Sequence, residues 1–182
     1  MKHIRTKILA TSLLLAALSP TAFAADGTIV FTGEIKGQTC SVAGEGRPAG
    51  DFTVVLPNVP SSLLNTGGNI AGNTPFAITL SNCTASLKKA AVYFEAGGNV
   101  DAVTGNLNNN AATNGAKNVQ IALSNNDGSP IKLGAAYHAQ NSKTVDIAGG
   151  NATLRYQAQY VATGTASAGL ISTTLRYSVV YP

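Results

Sequence analysis

Along most of the chain, apolar and polar side chains alternate with a period of two residues, and helical periodicity is almost absent. Such alternation is typical of strands with one buried and one solvent-facing side. Clusters of Gly, Asn, Pro and Ser separate the runs, as turns do. The pattern predicts strands over residues 28–36, 39–43, 52–56, 76–81, 91–96, 119–123, 131–133, 144–147, 152–162 and 170–181. Many short strands divided by turns favour a β-sandwich or a β-barrel.

Two stretches depart from this alternation. Residues 60–64 predict a short helical turn. Residues 97–118 are rich in Gly, Asn, Ala and Thr, and they are longer than most structureless loops in compact domains. The sequence leaves two alternatives for this second stretch, a short hairpin around residues 100–103 or a surface loop.

The two ends of the chain carry apolar stripes on their odd-numbered positions. Near the N-terminus the stripe consists of Gly27, Ile29, Phe31, Gly33 and Ile35. At the C-terminus it consists of Ile171, Thr173, Leu175, Tyr177, Val179 and Tyr181. We expect the last strand to run to the end of the chain and to lie at the edge of its sheet.

An apolar strand at a sheet edge is an aggregation hazard that proteins usually cover. The N-terminal stripe offers a cover in either of two ways. It can pair inside its own sandwich, or it can add to the sheet of a neighbouring molecule, where main-chain hydrogen bonds give affinity and side-chain pockets give register. Repeated head to tail, the second arrangement produces an open filament.

The first 24 residues have the three parts of a secretory signal peptide. Lys2, Arg5 and Lys7 form a basic start, residues 8–18 are apolar, and residues 22–24 (Ala-Phe-Ala) form a small-x-small cleavage site. We expect cleavage after residue 24 and export of the rest. The remaining chain has nine Lys and Arg against eight Asp and Glu, and this near-neutral balance offers no basic surface for nucleic acid.

No catalytic or cofactor-binding motif stands out in the sequence. His138 is the only histidine after the leader, and it has no Cys, Asp or Glu at ligand spacing. The sequence around Ser167 lacks the first glycine of the Gly-x-Ser-x-Gly motif that forms a nucleophile elbow. A Gly-x-Gly-x-x-Ala match at residues 44–49 contains a proline and is followed by no helical periodicity. We expect no enzymatic activity, no cofactor, no metal and no small-molecule substrate.

Cys40 and Cys83 are the only cysteines of the chain. Export takes them to an oxidising compartment, where they allow one intramolecular disulfide. Two free thiols or cross-linked dimers are the alternatives.

The chain resembles a fimbrial subunit of the chaperone–usher type, close to the type 1 major pilins. Residues 28–35 (Thr-Ile-Val-Phe-Thr-Gly-Glu-Ile) are similar to the donor strand of that family, and residues 156–164 (Tyr-Gln-Ala-Gln-Tyr-Val-Ala-Thr-Gly) to one of its late strands. The positions of the family's single disulfide and of its two C-terminal hallmarks are matched by Cys40, Cys83, Gly169 and Tyr181. The final Pro182 departs from the commoner Gln.

This resemblance implies an all-β fold, an incomplete immunoglobulin-like β-sandwich that lacks its last strand and is completed by a donor strand from a neighbouring subunit. Residues 1–24 would be a cleaved signal peptide, 25–37 the donor-strand extension and 38–182 the pilin domain. The implied donor residues are Gly27, Ile29, Phe31, Gly33 and Ile35. The implied acceptor groove and chaperone contact comprise Gly169, Ile171, Leu175, Tyr177, Val179, Tyr181 and Pro182.

The same resemblance implies a route and a set of partners. The chain would pass through the periplasm to the cell surface, where it would form part of a fimbria that supports cell adhesion. Its partners would be identical or related pilin subunits in a head-to-tail polymer, a periplasmic chaperone and an outer-membrane usher.

Three alternatives remain at this point. A minor adaptor or terminating pilin of the same system differs too little in sequence to be separated from a major subunit. A tip adhesin would carry an additional N-terminal lectin domain and no donor strand. An outer-membrane β-barrel would need aromatic girdles and strands of about 9–11 residues, and the sequence favours neither.

Overall fold

The structure, a computed structural model, describes residues 30–33, 37, 40–47 and 50–182. The chain divides into two units, residues 1–36 and 37–182. In the first unit, Val30 and Phe31 are exposed. The second unit is almost entirely β-structure, and none of the helices in the described ranges is long and apolar enough to cross a membrane.

Nine strands and two short 3₁₀ helices make up the described part of the second unit. The strands are β1 (Ser41–Gly44), β2 (Ile70–Ser81), β3 (Lys89–Phe94), β4 (Leu107–Asn108), β5 (Val119–Asn125), β6 (Pro130–Ile131), β7 (Val145–Asp146), β8 (Ala152–Ala162) and β9 (Tyr177–Val180). The 3₁₀ helices are Ser61–Leu64 and Tyr137–Ala139.

The strands form two antiparallel sheets. The larger sheet has the order β1-β2-β8-β5-β4, with β6 also paired to β5, and the smaller sheet has the order β7-β3-β9. Along β8, side chains alternate between buried and more exposed positions, as expected for a sheet with one face in the core. Apolar side chains from both sheets share one buried cluster, which gives the sandwich-like arrangement that the sequence pattern predicts.

Aromatic rings link the two sheets within this core. The ring of Tyr156 on β8 lies 5.6 Å from that of Phe76 on β2 and 5.2 Å from that of Phe94 on β3, measured between centroids. Burial raises the pKa of the Tyr156 hydroxyl, which lies 3.3 Å from the hydroxyl of Ser142. The phenol therefore stays neutral inside the core.

Most predicted strands are confirmed, although their ends move. The predicted strand 152–162 matches β8, and the helical turn predicted at 60–64 is the 3₁₀ helix Ser61–Leu64. β2 begins at Ile70, six residues before the predicted start, because it continues through a bulge between Ala71 and Thr74. The predicted strand 28–36 lies largely outside the described residues.

Two predicted strands differ from the observed elements in a way that matters for the site. Residues 52–56 alternate in burial as a strand does, but they pair with no strand in the described part of the chain. The predicted strand 170–181 is a paired strand only over Tyr177–Val180. Its first half is bonded to a loop and not to a strand.

That loop is the stretch 97–118, and it contains the hairpin that the sequence left as one alternative. Val100 and Leu107 form an antiparallel bridge. The turn between them is held by Asp101, whose carboxylate accepts hydrogen bonds from the main-chain N–H groups of Thr104 and Val103. These bonds hold the pKa of Asp101 below its usual value.

A disulfide joins Cys40 and Cys83, as the intramolecular alternative requires. Cys40 directly precedes β1, and Cys83 follows the end of β2. Because Ser41 is paired with Ser81, the disulfide closes the same end of the ladder between these two strands.

We expect Cys40→Ser combined with Cys83→Ser to destabilise this unit. The two residues are 43 positions apart in sequence, and a loop of that size corresponds to about 4 kcal/mol of unfolding free energy in the chain-entropy model. Urea unfolding followed by circular dichroism would measure the loss, with the oxidised wild type as reference. An unchanged unfolding midpoint would show that the disulfide is dispensable for stability.

Candidate functional site

The candidate site is formed by two segments that pack on the core and are not paired with each other in the described chain. One is residues 51–59, which follow β1 and its turn. In this segment Phe52, Val54 and Leu56 are half-buried against the core, whereas Val55 is 80% exposed. We call residues 51–59 the first wall.

The second wall is residues 170–181, at the C-terminal end of the chain. Its odd-numbered residues are half-buried, and those that pack against the core are Ile171, Leu175, Tyr177, Val179 and Tyr181. The even-numbered residues from Leu170 to Arg176 are exposed. The second wall therefore presents an apolar stripe to the interior, as its sequence predicts.

The main chain of the second wall is bonded on one lateral side. Leu170, Ser172, Thr174 and Arg176 all use main-chain groups in hydrogen bonds to the stretch 95–116. For the intervening odd-numbered residues 171, 173 and 175, no main-chain hydrogen bond forms within the described part of the chain. Alternate residues of a strand direct their N–H and C=O to opposite sides.

The same alternation continues into β9. The main-chain N–H of Glu95 donates to the Arg176 carbonyl, so β3 and β9 exchange hydrogen bonds at even-numbered residues of β9. Tyr177 and Val179 lie opposite Phe94 and Val92 in the pairs that do not exchange such bonds. Their N–H and C=O groups consequently point away from β3. The second wall thus has one open edge, formed by its odd-numbered residues.

The opposite edge of the small sheet is closed. β7 pairs with the start of β3, at Lys89 and Ala90. Farther along, the fully buried side chain of Gln140 accepts a hydrogen bond from the Phe94 N–H and donates one to the Phe94 carbonyl. Its amide takes the place of a strand partner at Phe94. Of the two edges of this sheet, only that of the second wall is open in the described chain.

Aromatic contacts join the two walls at one end of the site. The rings of Phe52 and Tyr177 lie 6.0 Å apart in an edge-on arrangement, and the Tyr177 hydroxyl donates a 2.6 Å hydrogen bond to the Gly50 carbonyl. Burial, followed by the charge of Asp51, raises the pKa of Tyr177, so the hydroxyl remains a donor. Residue 44 is a glycine, which leaves room for the Phe52 ring. A Cβ at this position would lie only 1.9 Å from the Cδ1 atom of Phe52.

A buried hydroxyl on the second wall has no partner. The Oγ1 atom of Thr173 is inaccessible to solvent and forms no hydrogen bond within the described residues. A buried polar group without a partner costs about 1–3 kcal/mol. Because Thr173 lies in the apolar stripe between Ile171 and Leu175, its unpaired hydroxyl lowers the stability of the site itself.

The remaining residues implied by the sequence are placed as follows. Gly169 lies against loop backbone, since a Cβ there would come within 2.4 Å of the Ala116 main-chain nitrogen, and Pro182 is exposed. Phe31 is 89% exposed and Gly33 is exposed in the first unit. The other three donor positions, Gly27, Ile29 and Ile35, lie outside the described residues.

Several residues of the site were not singled out from sequence. Asn99, Asn109 and Gln140 bond to main-chain groups of neighbouring strands or segments through their side chains. Asn is common in turns, so an Asn-rich loop by itself carried no signal of this role. Among the described residues, no three His, Cys, Asp or Glu side chains gather as a metal site would require.

The sequence matches one family model and several curated proteins. Residues 56–182 match the model described as "FimA: Type-1 fimbrial protein, A". The F17 fimbrial protein of Escherichia coli is 45% identical over 93% of this chain and 94% of its own length. The major fimbrial subunit SMF-1 of Stenotrophomonas maltophilia is 44% identical over 92% of this chain and 99% of its own length.

Solved structures share the fold at low sequence identity. The P pilus rod subunit PapA superposes with a TM-score of 0.60 at 16% identity, covering 80% of this chain and all of that one. A subunit from the structure of a chaperone–usher pilus gives a TM-score of 0.59 at 17% identity, covering 90% of this chain and all of that one. Both comparisons support the sandwich-like, almost entirely β fold described above.

We expect Thr173→Val to stabilise the isolated protein, because it replaces a buried, unpaired hydroxyl by a methyl group of similar shape. The expected gain is about 1 kcal/mol, or roughly 2–4 °C in the midpoint of thermal unfolding for a chain of this size. Thr173→Ser, which keeps the hydroxyl, is the matched control. A lower midpoint for the valine variant would mean that the hydroxyl is paired in solution.

Proposed function

The chain belongs to the FimA family of type-1 fimbrial proteins and is a structural subunit of surface fimbriae, and we propose that its subunits join when the N-terminal segment of one fills the open edge of the next. The inserted segment would lie between the first wall and the second wall. It would complete the small sheet and, with it, the sandwich.

The observation that carries this proposal is the open edge of the second wall. Along residues 171–181, unpaired main-chain groups and a half-buried apolar stripe occur on the same residues. An added strand would meet both needs, since its main chain pairs with the edge and its alternate side chains enter the interior. A small ligand would satisfy few of the main-chain groups.

The N-terminal stripe has the size and chemistry for this place. Residues 27–35 span about 27 Å when extended, and residues 171–181 span about 34 Å, at roughly 3.4 Å per residue. Phe31 and Val30 are exposed in the described part of the first unit. The proposed donor residues are Gly27, Ile29, Phe31, Gly33 and Ile35.

Such a contact joins different surfaces of successive subunits. A heterologous contact that does not close on itself produces a filament, which is the form that a fimbria requires. We accordingly propose three parts of the chain: residues 1–24 are the removed leader, residues 25–37 the donor extension and residues 38–182 the acceptor domain.

Before a neighbour arrives, the open edge needs another cover, because an exposed apolar edge invites aggregation. We propose that a periplasmic chaperone lends a strand to the second wall and that an outer-membrane usher directs its exchange for the next subunit. The exposed terminus at Pro182 would leave its carboxylate available to basic chaperone residues.

Deletion of residues 25–36 should abolish fibres while leaving a folded, chaperone-bound subunit, because the acceptor edge is untouched. Negative-stain microscopy of cells that express the chain with its chaperone and usher would test this, beside the full-length chain. If the full-length chain forms no fibres and folds as a free periplasmic monomer, whereas the deleted chain does not fold without the chaperone, the segment completes its own sandwich and the proposal is wrong.

Gly33→Leu should block polymerisation without unfolding the subunit that carries it. Gly33 is exposed and its φ is outside the left-handed region, so a side chain there adds no backbone strain to the subunit that carries it. In the neighbour's groove, by contrast, the leucine would meet the packed core. Thr32→Leu, on the opposite face of the strand, is the matched control. Normal fibre yield from Gly33→Leu would reject the proposed register.

A further inference from the structure

Two asparagine side chains hold the first half of the second wall. Between Leu170 and Arg176 the wall is not a paired strand, and it runs beside the stretch 95–116. Main-chain groups of this stretch bond to it at several points. At the remaining points, the hydrogen bond to the main chain of the second wall comes from the side-chain amide of Asn99 or Asn109.

Asn109 behaves like one residue of a parallel neighbouring strand. Its Nδ2 donates to the Leu170 carbonyl at 2.8 Å, and its Oδ1 accepts from the Ser172 N–H at 2.9 Å. These two groups flank residue 171, as the partners of a parallel β-residue do. The same Nδ2 also donates to the Ala116 carbonyl, which ties the side chain to its own loop.

Asn99 continues the pattern one step along the wall. Its Nδ2 donates to the Thr174 carbonyl at 2.9 Å and to the Thr174 hydroxyl at 2.8 Å. Its Oδ1 accepts from the amide of Asn110, whose main-chain N–H donates to the Ser172 carbonyl. The amides therefore form a continuous row beside residues 170–174.

We propose that Asn99 and Asn109 are positioning residues of the acceptor edge, which hold the second wall in strand geometry before a strand is inserted. This inference rests on the proposed function. Because the amides occupy the even-numbered main-chain groups, residues 171, 173 and 175 are kept facing the open side. A wall ordered in advance loses less conformational freedom when the strand arrives, and insertion is correspondingly favoured.

The test measures uptake of a strand by the full chain purified in complex with its chaperone. The probe is a fluorescent peptide of residues 25–36, and its incorporation is followed over time. Asn99→Ala and Asn109→Ala are compared with Asn106→Ala, a change in the same loop whose side chain contacts Gln120 and not the second wall. Thermal unfolding midpoints and amide hydrogen exchange at Ser172 and Phe94 are recorded for each complex.

We expect the rate of peptide uptake to fall about tenfold in Asn109→Ala, which is roughly the effect of losing one net hydrogen bond. In Asn99→Ala the uptake rate should fall by a smaller factor. Asn106→Ala should take up peptide at the wild-type rate. In Asn109→Ala, hydrogen exchange should quicken at Ser172 but not at Phe94, whose N–H is bonded to Gln140, whereas a general loss of stability would quicken both. The N-terminal segment of the Asn109→Ala subunit should still insert normally into wild-type acceptor subunits.

Equal uptake by Asn109→Ala and wild type would overturn the inference and leave the proposed function intact. Failure of the wild-type complex to take up peptide would instead reject the proposed function. If Asn109→Ala is not recovered, Asn109→Asp decides, since it keeps the acceptor for Ser172 but loses the donor to Leu170. Slower uptake by that variant supports the inference, and an unchanged rate overturns it.

Discussion

The strongest physical constraint on this molecule is a row of main-chain groups, along one side of the C-terminal segment, that have no partner within the described residues. A buried N–H or C=O without a partner is costly, so an edge that also carries an apolar stripe cannot simply be left to solvent. Here the odd-numbered residues 171–181 combine both features. In the proposed function, a second chain supplies what this edge lacks.

Side-chain amides pair with main-chain groups at Phe94 and along the first half of the second wall. Gln140 bonds to both main-chain groups of Phe94 in the manner of an antiparallel partner, and Asn109 bonds to Leu170 and Ser172 in the manner of a parallel one. An amide carries a donor and an acceptor like a peptide group, but it cannot extend the sheet. Within the described residues, these amides leave the odd-numbered side of the second wall as the open edge of the small sheet.

The two walls also explain why the fold tolerates an unfilled edge. Phe52 and Tyr177 meet at one end, and Gly44 makes room for the Phe52 ring. These contacts keep the first wall on the core although its main chain pairs with no strand in the described residues. Side-chain packing therefore holds the first wall in place without main-chain pairing to a strand of the described chain.

Several features of this protein are set locally by its amino-acid sequence: the period-two alternation, the full extent of β8, the 3₁₀ turn after Pro60, the pair of cysteines and the apolar stripe of the C-terminal segment. These follow from neighbouring residues, which is why they were predictable. It did not reveal that β2 continues through Gly72 and Pro75, residues that usually end a strand. β1 covers β2 only from Ile78 onward, so a proline at position 75 costs no pairing on that side. The amide contacts of Asn99, Asn109 and Gln140 likewise join residues 46–75 positions apart, so the edge that they close and the edge that they leave open depend on how distant parts of the chain pack together.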